Sequence, residues 1–275
     1  MASELVKELI DSGIHFGHRA SRWNPKMGSY IFSKRNSIHI IDIRETVKGL
    51  LRAKKFIAQV VGEGGDILFV GTKRQARLAV EQTANSAKMP YVADRWLGGT
   101  LTNFRTIRSR LKRLEELETL EADGRAEQYG KKQQSRNLRE RKKIHRNLVG
   151  IREMTKLPGA LFVIDVQREK LALREARALH IPSVCLIDTD SDPDMADIPI
   201  PGNDDAMRSI ELVLTHVREA IDMGLRGRQA AAAAVKEEAA AKRAARAVSA
   251  GDGERGKSEG GRMTESAVAP AIRES

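Results

Sequence analysis

The chain has one cysteine in 275 residues, Cys185, so it can form neither an internal disulfide nor a cysteine-built metal cluster. Aromatic residues make up only 4% of it, which leaves the core to aliphatic side chains. No run approaches the roughly 18 apolar residues of a membrane span. The opening MASELVKELI has neither a signal-peptide core nor a lipidation pattern, so a reducing, cytoplasmic setting without a membrane is expected. Neither GxGxxG nor the GxxxxGK(S/T) phosphate loop is read in the chain, and no cofactor is expected.

What is present is positive charge. The formal net charge is +11 with a pI near 9.9, which calls for a polyanionic partner. The charge is segmented. Residues 1–60 carry 11 Lys/Arg against 5 Asp/Glu, residues 105–156 carry 16 against 8, and residues 157–206 reverse the sign with 4 against 10. Two basic segments precede an acidic one, as expected when one face meets phosphates and another faces solvent or protein.

The stretch from Ala160 to Ala206 organises the fold. Leu161 to Ile164 is a short apolar run without polar alternation, the pattern of a strand buried on both faces. Residues 168–179 place Leu171, Ala172, Ala176 and Leu179 on one helical side and Arg168, Arg174, Glu175 and Arg177 on the other. A second run, Ile181 to Ile187, follows. Strand, helix, strand implies parallel pairing, with Asp165, Asp188 and the loop to Asp205 on one rim at the strand C-termini. IHIIDI (38–43), DILFVG (66–71) and MPYVAD (89–94) are read as further strands, which makes about five in a doubly wound parallel sheet of flavodoxin-like size. Ile107, Leu111, Leu114, Leu117 and Leu120, then Leu138, Ile144, Leu148 and Ile151, recur at threes and fours around a glycine-containing loop, as in an inserted antiparallel coiled-coil hairpin. The expected divisions are an α/β domain over 1–104 and 157–224, a hairpin over 105–156, and a disordered tail over 225–275 in which no motif is read.

Candidate RNA contacts lie where basic and aromatic side chains interleave, since these suit phosphates and stacked, unpaired bases. Residues 14–37 combine Arg19, Arg22, Lys26, Lys34 and Arg35 with Phe16, Trp23, Tyr30 and Phe32. Packing of Trp23 and Phe32 against the sheet is the competing use of the aromatics. Gly71, Lys73 and Arg74 form a strand-to-helix turn able to meet a phosphate. Arg95, Trp96 and Arg105 form another basic-aromatic patch, with Asn103 beside it and Arg108 one turn further on. His18 with Asp188, Asp204 and Asp205 is a minor metal-ligand set across the rim. The competing reading of Asn203-Asp204-Asp205 is a helix cap with acids in the first turn, and it weighs against an enzyme.

IHFGHRASRWNPKM, NSIHIIDI, ILFVGTKRQA, RWLGGTLTNF, GALFVIDV and IPIPGNDDA, in this order, resemble the bacterial small-subunit ribosomal protein two family from about residue 5 to residue 224. The resemblance implies a flavodoxin-like domain with a coiled-coil insertion and no catalytic activity. It also implies a place at the head–body junction of the small ribosomal subunit, bound to its ribosomal RNA and neighbouring ribosomal protein one, which binds messenger RNA. Carried over by position, it points to Arg19, Arg22, Trp23, Lys26, Arg35, Lys73, Arg74, Arg95 and Asn103 as RNA contacts. Ser37 and Val149 stand where the family usually shows glycine, and Asp190 where it usually shows asparagine.

Overall fold

The computed structural model describes residues 2–125 and 129–255, without side-chain detail at 2–3 and 234–255. Its contacts group the chain into two units, 1–228 and 229–275. The centre of the first is a five-stranded, all-parallel sheet: β4 (Ile67–Val70), β5 (Tyr91–Val92), β6 (Ala160–Ile164), β7 (Ser183–Ile187) and β8 (Ile198–Pro201), in the order β5-β4-β6-β7-β8. Counted within the sheet this is 2-1-3-4-5, the flavodoxin-like order. Every residue of β4, β6 and β7 is buried, so continuous apolar runs rather than alternation mark these strands.

The side-chain period of two sorts the sheet into two cores. Ile67, Phe69, Phe162, Ile164, Val184, Leu186 and Ile200 face one side, where they meet α1 (Ala2–Asp11), α2 (Ile43–Gly62), α3 (Arg77–Ala87) and the start of α7 (Met207–Arg255). Leu68, Val70, Leu161, Val163, Cys185 and Ile187 face the other, against α6 (Lys170–Ala178), Trp96 and Leu101. Phe69 and Phe162, adjacent across paired strands, bring their ring centroids to 5.7 Å. Cys185 is wholly enclosed, and burial raises its thiol pKa, so it is chemically inert.

The number of parallel strands is as expected, but one member differs. Residues 38–43 do not enter this sheet: β3 (Ile38–Ile41) is the centre of a separate antiparallel sheet with β1 (Phe16–Arg19) and β2 (Ile31–Arg35). Its burial alternates, His39 and Ile41 in and their neighbours partly out, as suits a sheet covered on one face. The fifth parallel strand is β8, where prolines argue against a strand. Being the edge, it needs N–H donors only toward β7; Pro199 and Pro201 alternate with Ile198 and Ile200 and sit at the positions facing away. Asp42 caps α2 by accepting from the Arg44 N–H, and Gly49 lets that helix lie on β8, since a Cβ there would stand 2.5 Å from the Pro199 carbonyl oxygen.

Helices α4 (Phe104–Ala122) and α5 (Lys131–Leu148) interrupt the alternation where expected. The division at 105–156 nevertheless cuts through a shared core: Ile107, Leu111, Leu148, Ile151 and Met154 are buried with Val92, Trp96 and Leu161. Leu114 and Leu117 are buried further along α4, and Arg141 of α5 pairs with Glu121 of α4 at 2.5 Å. Within the expected tail, α7 continues to Arg255 through the alanine-rich stretch, which is made of strong helix formers. Residues 256–275 of that expected tail lie outside the described residues. Among the described residues no helix is long and apolar enough to cross a membrane.

Candidate nucleic-acid interface and acidic rim

Residues 16–41 present the first candidate surface. The β2–β3 connection is a two-residue turn with both Asn36 (φ 49°) and Ser37 (φ 62°) left-handed, the conformation that tight hairpins favour and that asparagine followed by glycine adopts with least strain. It holds out Lys34 and Arg35. Phe32, 74% exposed, packs on nothing that would hide it and is open to stacking. Trp23 serves both uses: it is 39% exposed and its ring lies 5.1 Å from that of the buried His39. Arg19 and Arg22 are exposed; Lys26 is exposed but held by Asp192 at 3.0 Å and Asp194 at 2.6 Å.

The segment 95–108 is shaped by a residue that helical periodicity assigns to solvent. Glu175 is buried, and its two carboxylate oxygens accept from the backbone N–H groups of Gly99 (2.8 Å), Leu101 (3.0 Å) and Thr102 (3.2 Å), and from Trp96 Nε1 (3.1 Å). Burial works against the charge, but these donors outweigh it and hold the carboxyl below its ordinary range. The donors come from a loop 73–79 residues distant, a pairing that no local pattern announces; Leu171, assigned to the apolar side of the same helix, is exposed. The clamp fixes the loop from which Arg95, Asn103 and Arg105 stand exposed. Arg108, half-buried, donates to the Met154 carbonyl at 3.1 Å, and Asn103 Oδ1 accepts from the Thr106 hydroxyl. Val149 has ordinary helical angles (φ −56°, ψ −41°), so its position places no demand for glycine.

At the C-terminal ends of β4, β6, β7 and β8 the acidic rim forms as expected, and it takes in one residue assigned to RNA. Lys73 is not displayed. Its ammonium is enclosed by Asp204 (2.7 Å), Asp205 (2.5 Å) and Asp165 (3.6 Å), which raise its pKa against the opposing effect of burial. Arg74, its neighbour, is exposed. Asp188 and Asp204 are each only 1% exposed. Burial first, and then the carboxylates of Asp188 and Asp165, raise Asp204 to about 8 despite Lys73. His18 stands 2.9 Å from Asp188 and 3.2 Å from Asp205, and its bond to Asp188 raises it to about 9. Asp190, with asparagine usual at its position, is half-buried and raised by burial. Beside the rim, Glu169 accepts from the Thr72 N–H at 3.0 Å and from its hydroxyl at 2.5 Å.

Before α7, Asn203 Oδ1 accepts from the backbone N–H of Asp205 (2.8 Å) and Ala206 (3.0 Å), an Asx turn that leads into the helix, which starts at Met207. In the second unit, the spelling from Gly251 to Ser258, GDGERGKS, fits the letters of a phosphate loop, which the motif-free reading of the tail overlooks. Its first five residues, 251–255, are the end of α7 rather than a turn after a strand, the wrong context for that motif, and Gly256–Ser258 lie outside the described residues.

Comparison with known proteins gives a consistent result. A sequence model of the family described as ribosomal protein S2 matches residues 9–224. The small ribosomal subunit protein uS2 of Rhodopirellula baltica is 58% identical over 224 residues, covering 82% of this chain and 86% of that protein. The small ribosomal subunit protein uS2 of Mycolicibacterium vanbaalenii is 48% identical over 233 residues, covering 85% of each.

Proposed function

The chain belongs to the ribosomal protein S2 family, whose members are structural and non-enzymatic, and from that membership we propose that it is a component of the small ribosomal subunit that binds small-subunit ribosomal RNA at the head–body junction. The observation that carries the RNA-binding reading is the exposure of one-signed charge beside open aromatic rings. Arg19, Arg22, Lys34, Arg35, Arg74, Arg95 and Arg105 all stand in solvent, with Trp23 and Phe32 among them. Phosphates would meet the cations, and unpaired bases would stack on the rings. Lys73 is withdrawn from this set, because an ammonium already enclosed by three carboxylates has little left to offer a phosphate.

Helices α4 and α5 would form the antiparallel coiled-coil insertion, rooted in the α/β core through Ile107, Leu111, Leu148 and Ile151 and adding a second basic segment. The acidic loop from Asp188 to Asp197 would face protein rather than RNA, and ribosomal protein one is the neighbour proposed for it. The test is reconstitution: the purified chain is added to small subunits stripped of this protein and sedimented in high salt. Stoichiometric co-sedimentation, lost when Arg22, Arg35, Arg74 and Arg95 are changed together to alanine, is expected. Retention of the fourfold variant at the wild-type level would contradict the assignment of the RNA-binding surface.

A further inference from the structure

The two sheets have four edges among the described residues, and three of them are closed. At the β8 edge Pro199 and Pro201 have no N–H to offer, and α2 lies against the strand at Gly49. At the β5 edge the turn Val149–Ile151 comes so near that a Cβ on Gly150 would collide with the Tyr91 carbonyl oxygen. At the β1 edge the His18 N–H donates to Thr189 Oγ1 at 2.9 Å, and Gly17 permits that approach. The β2 edge is open. Among the described residues no strand but β3 pairs with it, and its residues from Phe32 to Arg35 are all exposed.

The bond directions along β3 identify the groups left over. The Ile41 N–H donates to the His15 carbonyl on the β1 side at 2.8 Å, and the Asp42 N–H to the Tyr30 carbonyl on the β2 side at 2.8 Å. Alternation along an antiparallel strand therefore turns Ile38 and Ile40 toward β2, where they face Arg35 and Ser33. Lys34 lies between these two bonded positions, so its own N–H and C=O point away from β3. Phe32 is left outside the ladder by the bulge between Ile31 and Ser33. Two residues of an antiparallel strand span about 6.8 Å, so the free groups of Phe32 and Lys34 repeat at the spacing of another extended main chain. Phosphate oxygens could meet the N–H groups but not the carbonyls, which need a donor; the edge therefore suits a peptide better than RNA.

Charge narrows the choice of peptide. Successive residues point to opposite faces, so Lys34 and Arg35 place one cation on each face of the strand. Like charges opposite one another across a strand pair repel and unlike charges attract, so this edge turns away basic strands and accepts acidic ones. Its short length and its bulge also limit indiscriminate pairing, while the ring of Phe32 leaves an apolar contact available.

We propose that β2 is a docking edge for an extended acidic segment of another protein, which adds to the three-stranded sheet as a fourth, antiparallel strand. Acidic residues would stand opposite Arg35 and Lys34, and an apolar one opposite Phe32. Main-chain bonds supply the affinity and the two cations supply the selection. The inference goes beyond the RNA-binding reading and does not rest on it: Lys34 and Arg35 serve in both, but only a peptide strand engages the main chain of Phe32 and Lys34.

The test is hydrogen exchange and amide chemical shift, followed by NMR on the isotope-labelled full chain as the synthetic peptide Thr-Glu-Glu-Thr-Val-Thr is added. Saturable protection of the Phe32 and Lys34 amides is expected, with a smaller change at Ser33 and Arg35, which already bond to β3. The same peptide with lysine for both glutamates, or N-methylated at the second glutamate and the valine, should bind at least tenfold more weakly. Lys34→Gln should weaken binding several-fold by removing charge alone, and Lys34→Pro should abolish it by also removing the outward N–H, without breaking a bond to β3. Should Lys34→Pro fail to fold, the N-methylated peptide decides. Absence of saturable protection, or equal binding of the lysine or N-methylated peptide, would overturn the proposal. So would equal protection of these two amides by oligouridylate, which would assign the edge to RNA.

Discussion

Two regions of this molecule hold their cations in opposite ways. From Arg19 to Arg35 the arginines stand in solvent with few carboxylates near them, while at the rim Lys73 is enclosed by Asp165, Asp204 and Asp205. Lys73 and Arg74 are adjacent in sequence and fall on opposite sides of this division. A net charge of +11 therefore does not distribute itself evenly over the surface. The exposed set acts through long-range attraction that salt screens, and the enclosed set acts through folding, where desolvation makes each unpaired charge expensive.

The comparison breaks most visibly at Lys73. At pH 9, where Asp204 is ionised, Lys73→Met should cost about 3–5 kcal/mol, because it strands that buried carboxylate without its cation. Arg74→Ala should cost less than about 0.5 kcal/mol, as an exposed substitution does. Chemical denaturation of both variants reads the two values, and equal costs would erase the division. Next in size is Glu175→Ala, expected to cost about 3 kcal/mol or more, since it leaves the buried N–H groups of Leu101 and Trp96 without an acceptor. The clamp also has a pH signature. A carboxyl held below its ordinary range adds stability that is complete above the unfolded value, about 4.3 for glutamate, and is lost as pH falls through the lower folded value. Thermal melts in that acid window should show the wild type losing more stability than Glu175→Gln.

These residues also mark how far the sequence could be read. Continuous apolar runs identified β4, β6 and β7, and the acids at their ends identified the rim, because both signals are local. The surroundings of Glu175 and Lys73 have no local signal because what decides them is distant: a loop more than 70 residues away in one case, carboxylates from two other strands in the other. Ile198–Pro201 escaped notice because its prolines are acceptable only at an edge, and the edge is a property of the whole sheet. Helical spacing likewise located α4 and α5 but could not say that their roots belong to the main core.

Two smaller effects sharpen the account locally. Asn203→Ala should cost about 1 kcal/mol by removing the turn that leads into α7, and Asn203→Asp should be nearly neutral because aspartate makes the same turn; denaturation midpoints check both. Ser37→Gly should stabilise by about 0.5 kcal/mol, since the left-handed angle there strains serine more than glycine, partly offset by the greater freedom of glycine in the unfolded chain. A lower melting temperature for Ser37→Gly would contradict the turn assignment.

The division between exposed and enclosed cations is tested most directly by binding the full chain to small-subunit ribosomal RNA across a salt series, with Lys73→Gln and Arg74→Gln beside the wild type. Log affinity should fall linearly and steeply with log salt, and Arg74→Gln should lower the slope by about one while folded Lys73→Gln leaves it unchanged. A flat response for the wild type, or a slope altered by Lys73→Gln and not by Arg74→Gln, would contradict it.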